Sequence, residues 1–276
     1  MKISAYPKVL SCACVLLAAT ACTGRTGATG DEARLATTPA PASASTSRPA
    51  VLATIEAHGL EIMGEFDAPS GLHGYAGVAG QEPLTVYTTA DGQHALVGVL
   101  VDAKGEDVGA DALRRLVTLP LSKQQWTALQ AATWIADGAA DAPRVVYVFT
   151  DPNCPYCHRF WEAARPWVEA GKVQLRHILV GVIRPDSANK VATMLTARSP
   201  IAALTRNEQT FAKGGIEAAA TVPDAVRRKL SGNETLMLQM GFQGTPGIVF
   251  LDDKGILQRR SGLPGADQLA VVLGPR

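Results

Sequence analysis

Three things are scarce in this sequence: net charge, cysteine and long apolar runs. The 276 residues carry 26 basic and 25 acidic side chains. Neither sign dominates, so the charge shows no nucleic-acid or membrane-surface footprint. Only five cysteines are present, and Cys12, Cys14 and Cys22 stand near the start. Cys154 and Cys157 form the one remaining pair. A structural zinc site needs about four ligands, and no second pair exists to supply them. The apolar run Val9 to Ala21 covers only 13 residues, too short to cross a bilayer comfortably. Hydrophobic residues nevertheless make up 47% of the chain, ample for real cores in one large or two ordinary domains.

Lys2 and Lys8 precede the short apolar run, and Ala19-Thr20-Ala21 closes it in an A-x-A cleavage pattern. Residues 1–21 therefore read as a signal peptide. Cys22 follows at once. A run ending in small residues and a cysteine also fits a lipoprotein signal, although Ala19 stands where leucine is usual. Plain secretion and lipidation of Cys22 both fit. Either route exports the chain into an oxidising compartment. Residues 22–50 are Ala, Thr, Ser, Pro and Gly with almost no large apolar side chain, which predicts a flexible tether.

Residues 51–119 predict a small α+β domain. A short helix stops at Gly59. Runs at Leu60–Phe66, Leu72–Val78, Leu84–Thr88 and His94–Val101 then read as strands of a mostly antiparallel sheet, and Asp91-Gly92 is a hairpin signal. Asp111 to Val117 reads as helix. Residues 120–140 predict a linker helix, with Ser122 and Gln125 in a capping-box pattern and Gly138 as its stop.

Residues 141–276 hold the chemistry. Val145 to Phe149 is an unbroken apolar run, as expected of a buried strand. Asp151-Pro152-Asn153 is a turn, and Cys154-Pro155-Tyr156-Cys157 follows. A strand that delivers Cys-x-x-Cys onto the first turn of a helix reads as a redox site. Pro155 suits the first helical position, which places Cys154 at the N-cap, before unpaired N–H groups and the positive end of the dipole. A thiolate is stabilised there. Cys154 is thus expected to attack and Cys157 to resolve. Other readings exist for the same residues. Cys154 to His158 spells the Cys-x-x-Cys-His pattern of c-type haem attachment, but it follows a hydrophobic strand and lacks an obvious second axial ligand. An inert structural disulfide is the blandest alternative.

Far down the chain, Gly244-Thr245-Pro246 feeds the apolar segment Gly247–Leu251. By itself this is a strand-entry turn. In a thioredoxin fold it would be the cis-proline loop facing the dithiol, with Thr245 and Pro246 receiving an extended substrate. Between the two motifs lies a largely helical insert, Ser187 to Gln239, interrupted at Ser199-Pro200, Gly214-Gly215 and Pro223.

The segments FTDPNCPYCHRFW and GTPGIVFL, with the insert between them, resemble the periplasmic disulfide isomerases of the DsbC/DsbG family. Pro155-Tyr156, Trp161 and the lack of further cysteine in the domain incline the resemblance to DsbG. It extends from about Val51 to the C-terminus. It implies an α+β dimerisation domain, a linker helix and an α/β thioredoxin-fold catalytic domain with a helical insert. It implies disulfide isomerase or reductase activity, with reduction of cysteine sulfenic acids as a further chemistry. The site would be the Cys154–Cys157 dithiol, with Pro155, Tyr156, Thr245 and Pro246 meeting substrate, and without metal or cofactor. Partners would be misfolded or oxidised exported proteins, a DsbD-like membrane thiol reductase as electron donor, and a second copy of the chain, with no nucleic acid. A dithiol oxidase and a chaperone-like binder of unfolded chains are the alternatives. One departure from thioredoxin itself is that the strand before the motif holds no acidic residue, so no carboxylate base is implied there. His158 and Arg159 flank the thiols, either as cations that lower a thiol pKa or as a solvated helix face.

Overall fold

The computed structural model describes residues 48–275. The predicted leader, Cys22 and nearly all of the predicted tether lie outside them. The first elements are helix α1 (Ala50–Ala57) and strands β1 (Leu60–Asp67), β2 (His73–Ala79), β3 (Glu82–Thr88) and β4 (Ala95–Val97). The strands form an antiparallel meander in sequence order. Successive side chains of a strand face opposite ways, and both faces of this sheet are used. Tyr75 and Val86 pack with Leu52 of α1 on one side. Ala76 and Val78 pack with Val117 and Leu116 on the other.

The expected strand His94–Val101 pairs over only Ala95–Val97. Gly98 has φ +148 and turns the chain away. Leu96 and Val97 on this outer edge, and Val99 and Val101 beyond the turn, are left exposed.

The two helices expected on either side of residue 119 are a single rod. Helix α2 (Ala110–Leu113) passes through a π-helical turn, Arg114–Thr118, into α3 (Leu119–Ala131). An interior proline cannot donate an i→i−4 bond, and the wider turn immediately before Pro120 accommodates that loss. Ser122 is therefore not a cap. It is buried, and its hydroxyl accepts the Leu257 N–H at 3.1 Å. The rod also ends sooner than expected. Ala132 is extended (ψ 163), and Trp134–Asp137 is strand β5, paired antiparallel with β7 (Val173–Leu179). The helical reading of Trp134–Asp137 fails because sheet pairing overrides a pattern that fits either element. Nor does α3 cross open solvent. Leu129 is fully buried with Tyr147 and Phe149, and Trp126 meets Tyr147 edge-on at 5.0 Å.

The second sheet is built around β6 (Arg144–Thr150), which continues through a turn into α4 (Pro155–Glu169) and returns as β7. The insert follows as α5 (Ser187–Thr196), α6 (Pro200–Gln209) and α7 (Asp224–Gln239), then β8 (Gly247–Leu251), β9 (Leu257–Ser261) and α8 (Ala266–Leu273). Strand order is β5-β7-β6-β8-β9, with β6 and β7 parallel and the other pairs antiparallel. Helices cover both faces of β6, so its apolar run is continuous rather than alternating. Val146 and Val148 pack against Phe160 and Trp167 of α4. Tyr147 and Phe149 pack against Leu129, Leu236 and Met237. The small sheet touches this domain at the tip of its β2–β3 hairpin. The Gln81 side-chain oxygen accepts from Gln125 at 2.6 Å and from Arg259 at 2.8 Å.

Leu129→Ala tests whether α3 is part of the catalytic core. Emptying that site should lower the unfolding free energy by about 2–5 kcal/mol in urea titration, whereas a solvent-spanning helix would lose almost nothing.

Candidate active site

Strand β6 ends at Thr150 under the site, and the following turn is tightly determined. The buried Asp151 carboxylate accepts four hydrogen bonds: from Asn153 N (2.8 Å), Ser187 Oγ (2.8 Å), Val182 N (2.7 Å) and Ile183 N (2.9 Å). The turn sets Cys154 at the N-cap of α4 with extended backbone (φ −83, ψ 115) and Pro155 in the first helical position. The sequence supports this locally, because proline lacks the N–H that would otherwise need a partner there.

Cys154 and Cys157 are both free thiols, only 2% and 3% exposed. Cys154 Sγ accepts the Cys157 N–H at 3.3 Å and lies 3.3 Å from the Thr245 carbonyl oxygen. The Thr245–Pro246 peptide is cis, and the Pro246 carbonyl accepts the Gly262 N–H at 2.8 Å. The predicted residues Cys154, Cys157 and Thr245 thus meet in space across 91 residues of sequence. Tyr156 turns outward and is 53% exposed, with the Arg159 guanidinium 5.6 Å from its ring centre.

The two sulfurs are made unequal. Hydrogen bonds, the largest from the Cys157 thiol and the others from Thr245 and the backbone N–H groups of Cys157 and Tyr156, outweigh burial and together lower the Cys154 pKa to about 6. Burial, and then the neighbouring Cys154, push the Cys157 thiol well up. Hydrogen bonds thus lower the Cys154 pKa without a contribution from His158 or Arg159, and of the two readings of that pair the solvated helix face fits Arg159. Arg159 is exposed. The His158 ring is turned to the insert, with Nδ1 2.9 Å from Glu208 Oε2 and its face stacked on Phe211 at 4.5 Å. Haem attachment through Cys154 to His158 would need outward sulfurs and a free imidazole, and neither is present. Among the described residues no group of three or more His, Cys, Asp or Glu side chains could hold a metal.

Sequence reasoning missed the polar frame around the dithiol. Asp151 is the buried carboxylate that β6 itself lacks, standing one residue past the strand, with its oxygens already engaged by donors. Asn153, Lys190, Asn207 and Glu208 are all buried beside the same turn. Asn207 donates to the Pro152 carbonyl at 3.1 Å and accepts the Ile216 N–H at 3.0 Å. Gly215 makes this approach feasible: its φ is +76, and a Cβ there would lie 2.4 Å from Asn207 Oδ1. Beside this frame, burial pushes the Asp137 carboxyl up, but hydrogen bonds from His177 and Arg165 outweigh it and hold the group well below the usual carboxylate range. Asp151 and Asn153 were legible only as parts of a turn, and Lys190, Asn207 and Glu208 carried no spacing signal at all.

A family of thioredoxin-like domains matches residues 135–274. The thiol:disulfide interchange protein DsbG of Pseudomonas aeruginosa is 49% identical over 235 residues, covering 85% of this chain and 92% of that one. The protein of the same name from Escherichia coli K12 is 39% identical over 226 residues, covering 82% and 91%. Among solved structures, the catalytic domain of Proteus mirabilis ScsC superposes with TM-score 0.46 at 25% identity, covering 55% of this chain and 93% of that one.

The low Cys154 pKa has a consequence for stability. Between about 6 in the folded protein and the ordinary thiol value of 9.0, the unfolded chain binds one more proton at Cys154 than the folded one. The stability of the reduced protein should therefore rise with pH across that window and be lost as pH falls towards 6. Denaturant titration of the reduced and disulfide forms at several pH values checks this. The disulfide form, with no thiol to ionise, should lack that rise.

Proposed function

This chain belongs to the DsbC/DsbG family of thiol:disulfide interchange proteins, and from that premise we propose that its Cys154–Cys157 dithiol isomerises and reduces disulfides of exported proteins. It is a thiol–disulfide oxidoreductase with a thioredoxin-like catalytic domain. The inequality of its two thiols carries the finer reading. The Cys154 thiolate attacks a substrate disulfide. A Cys154–substrate bond forms, and the displaced substrate thiolate takes a proton from solvent. That freed thiol can attack another disulfide of the same substrate and eventually expel Cys154, which is isomerisation. Otherwise Cys157 loses its proton and attacks Cys154 Sγ, releasing the substrate as a dithiol and leaving the enzyme oxidised. A membrane thiol reductase of the DsbD kind then returns two electrons. A cysteine sulfenic acid enters by the same route: Cys154 attacks its sulfur, a Cys154–substrate disulfide forms, the hydroxyl takes a proton from solvent and leaves as water, and Cys157 then releases the substrate thiol.

Thr245 and Pro246 receive an extended substrate segment, Pro155 shapes the helix start and the outward Tyr156 flanks it. The location is the periplasm. No described helix is long and apolar enough to cross a membrane. The small sheet dimerises through its outer edge. Leu96 and Val97 lie exposed there, with Val99 and Val101 exposed just beyond, and an exposed apolar edge strand invites pairing with another.

Cys154→Ser should abolish thiol chemistry, while Cys157→Ala should accumulate mixed disulfides with exported proteins, read on non-reducing gels after acid quench. Equal residual turnover in the two variants would defeat the assignment. In the same cells the wild-type dithiol should be mostly reduced; a mostly oxidised pool would indicate an oxidase. Val99→Lys should convert a dimer to a monomer by light scattering, and an unchanged mass would remove the edge from the interface.

A further inference from the structure

Lys190 is a buried cation that the chemistry above does not use. It lies on α5 in the insert and is 6% exposed. Lysines are almost never buried to this degree unless paired, because taking an ammonium out of water costs several kcal/mol. The compensation here is specific. Nζ donates to Asn153 Oδ1 at 2.7 Å and to the Gly214 carbonyl at 2.6 Å, and lies 3.6 Å from Asp186 Oδ2. Asn153 is the residue immediately before Cys154, and its amide has no freedom left. While Oδ1 accepts from Lys190, Nδ2 donates to Asp186 Oδ1 at 3.0 Å and to Ser187 Oγ at 2.9 Å. Ser187 Oγ in turn donates to Asp151. The turn that aims Cys154 is thereby tied to the start and first turns of α5 from both of its ends.

A hydrophobic residue would fill the Lys190 position at lower cost if the insert needed only packing. Apolar packing is non-directional, whereas an ammonium held by two carbonyl-type oxygens fixes one geometry for each. The acceptor that matters is covalently next to the reacting cysteine. Cys154 Sγ lies 3.3 Å from Cys157 N, a donor that serves the thiolate, and 3.3 Å from the Thr245 carbonyl, which receives the neutral thiol, and a shift of the Asn153 backbone would displace it from both.

We propose that Lys190 is a positioning residue for the dithiol, clamping Asn153 so that the turn after β6 presents Cys154 at the start of α4 and opposite Thr245. This rests on the reading of Cys154 as the attacking thiol. The insert is then more than a wall around the site, since it sets the geometry on which the reactivity of Cys154 depends. The charged and titratable groups facing this turn are Asp151 on the turn itself, Asp186 and Lys190 at the start of the insert, and the His158–Glu208 pair between α4 and α6.

The test measures the pH dependence of Cys154 alkylation and the equilibrium of the dithiol with glutathione in full-length Lys190→Met. Loss of the clamp should move the alkylation midpoint upward by about one pH unit. It should shift the glutathione equilibrium about fivefold at pH 7, and about tenfold at higher pH, towards the protein disulfide, because a less stabilised thiolate weakens the reduced form. Gln174→Leu is the comparator. It also removes a buried donor, one that serves the Ala139 carbonyl, and it is paired with Val145 at the opposite end of β6 from the turn. It should lower Tm without moving either readout. If Lys190→Met behaves like Gln174→Leu, with only its Tm lowered, the proposal is overturned. Asn153→Ala removes the acceptor beside Cys154 yet leaves Gly214 and Asp186 to hold the ammonium. It should shift both readouts in the same direction as Lys190→Met. Wild-type values in Asn153→Ala would overturn the proposal even were Lys190→Met not to fold. An ordinary thiol midpoint in the wild-type protein would instead bring down the reading of Cys154 and this inference with it. A low wild-type midpoint that the variants leave unchanged fails the clamp alone.

Discussion

One contact underlies the rest of this structure: the approach of Cys154 Sγ to 3.3 Å from both the Cys157 N–H and the Thr245 carbonyl. The first partner is local and comes with any helix that begins at a cysteine. The second comes from a loop 91 residues away and exists only if the sheet is correctly assembled. Strand β8 pairs with β6 with Gly247 opposite Phe149, so the residues just before β8 fall beside the residues just after β6. A slip of one residue in that register would turn Phe149, Val249 and their neighbours to the wrong face. The register that fills the core is thus the register that closes the site, and packing and reactivity are specified together.

The site is buried, and burial opposes charge. A thiolate that is almost wholly enclosed must be compensated, and here hydrogen bonds do this rather than a neighbouring cation. The same rule governs the frame around it. Asp151, Asn153, Lys190, Asn207 and Glu208 are buried, and each has partners at hydrogen-bond distance. A network of this kind is unforgiving, since loss of one member strands a buried donor or acceptor in another. It adds directional ties to an insert whose Val191, Met194 and Leu204 already pack with Trp161 of α4 and Leu179 of β7.

How much of this was legible in the sequence depends on how local each signal is. The β6 run, the turn at Asp151-Pro152-Asn153 and the Cys154-Pro155 helix start are short-range features, and they could be read directly. So could the breaks at Ser199-Pro200, Gly214-Gly215 and Pro223, because proline and glycine act on their own backbone. Trp134–Asp137 was misread because nothing in its own residues distinguishes a helix tail from a strand. The deciding partner is Leu175–Ile178 on β7. Ser122 looked like a cap because its hydroxyl and Gln125 have the right spacing. Its true partner, Leu257, is 135 residues away. The Thr245–Pro246 loop was recognisable only through a resemblance to a known fold. Lys190 and Glu208 could not be found at all, since an isolated polar residue in a helix reads as a solvated face until the fold shows what covers it.

The two sheets differ in how completely they are enclosed, and this bears on what each does. In the catalytic sheet both faces of the central strand are packed. The exposed large apolar side chains close to the dithiol are few: Tyr156, Val182 and Ile183 on the loop held by Asp151, and Leu263 beside the Gly262 that supports Pro246. The small sheet has covered faces but an uncovered apolar edge at β4. Its opposite commitment is the hairpin tip, where Gln81 is gripped by Arg259 of β9 and Gln125 of α3. Arg259 lies two residues before Ser261, the β9 partner of Gly247, and Gly262 then supports the Pro246 carbonyl. A load applied to the small sheet through its β4 edge therefore reaches the strand that borders the Thr245–Pro246 loop. It does so through two directional hydrogen-bond sets and one helical rod rather than through a loose linker. The small domain is built to hold its position relative to the dithiol.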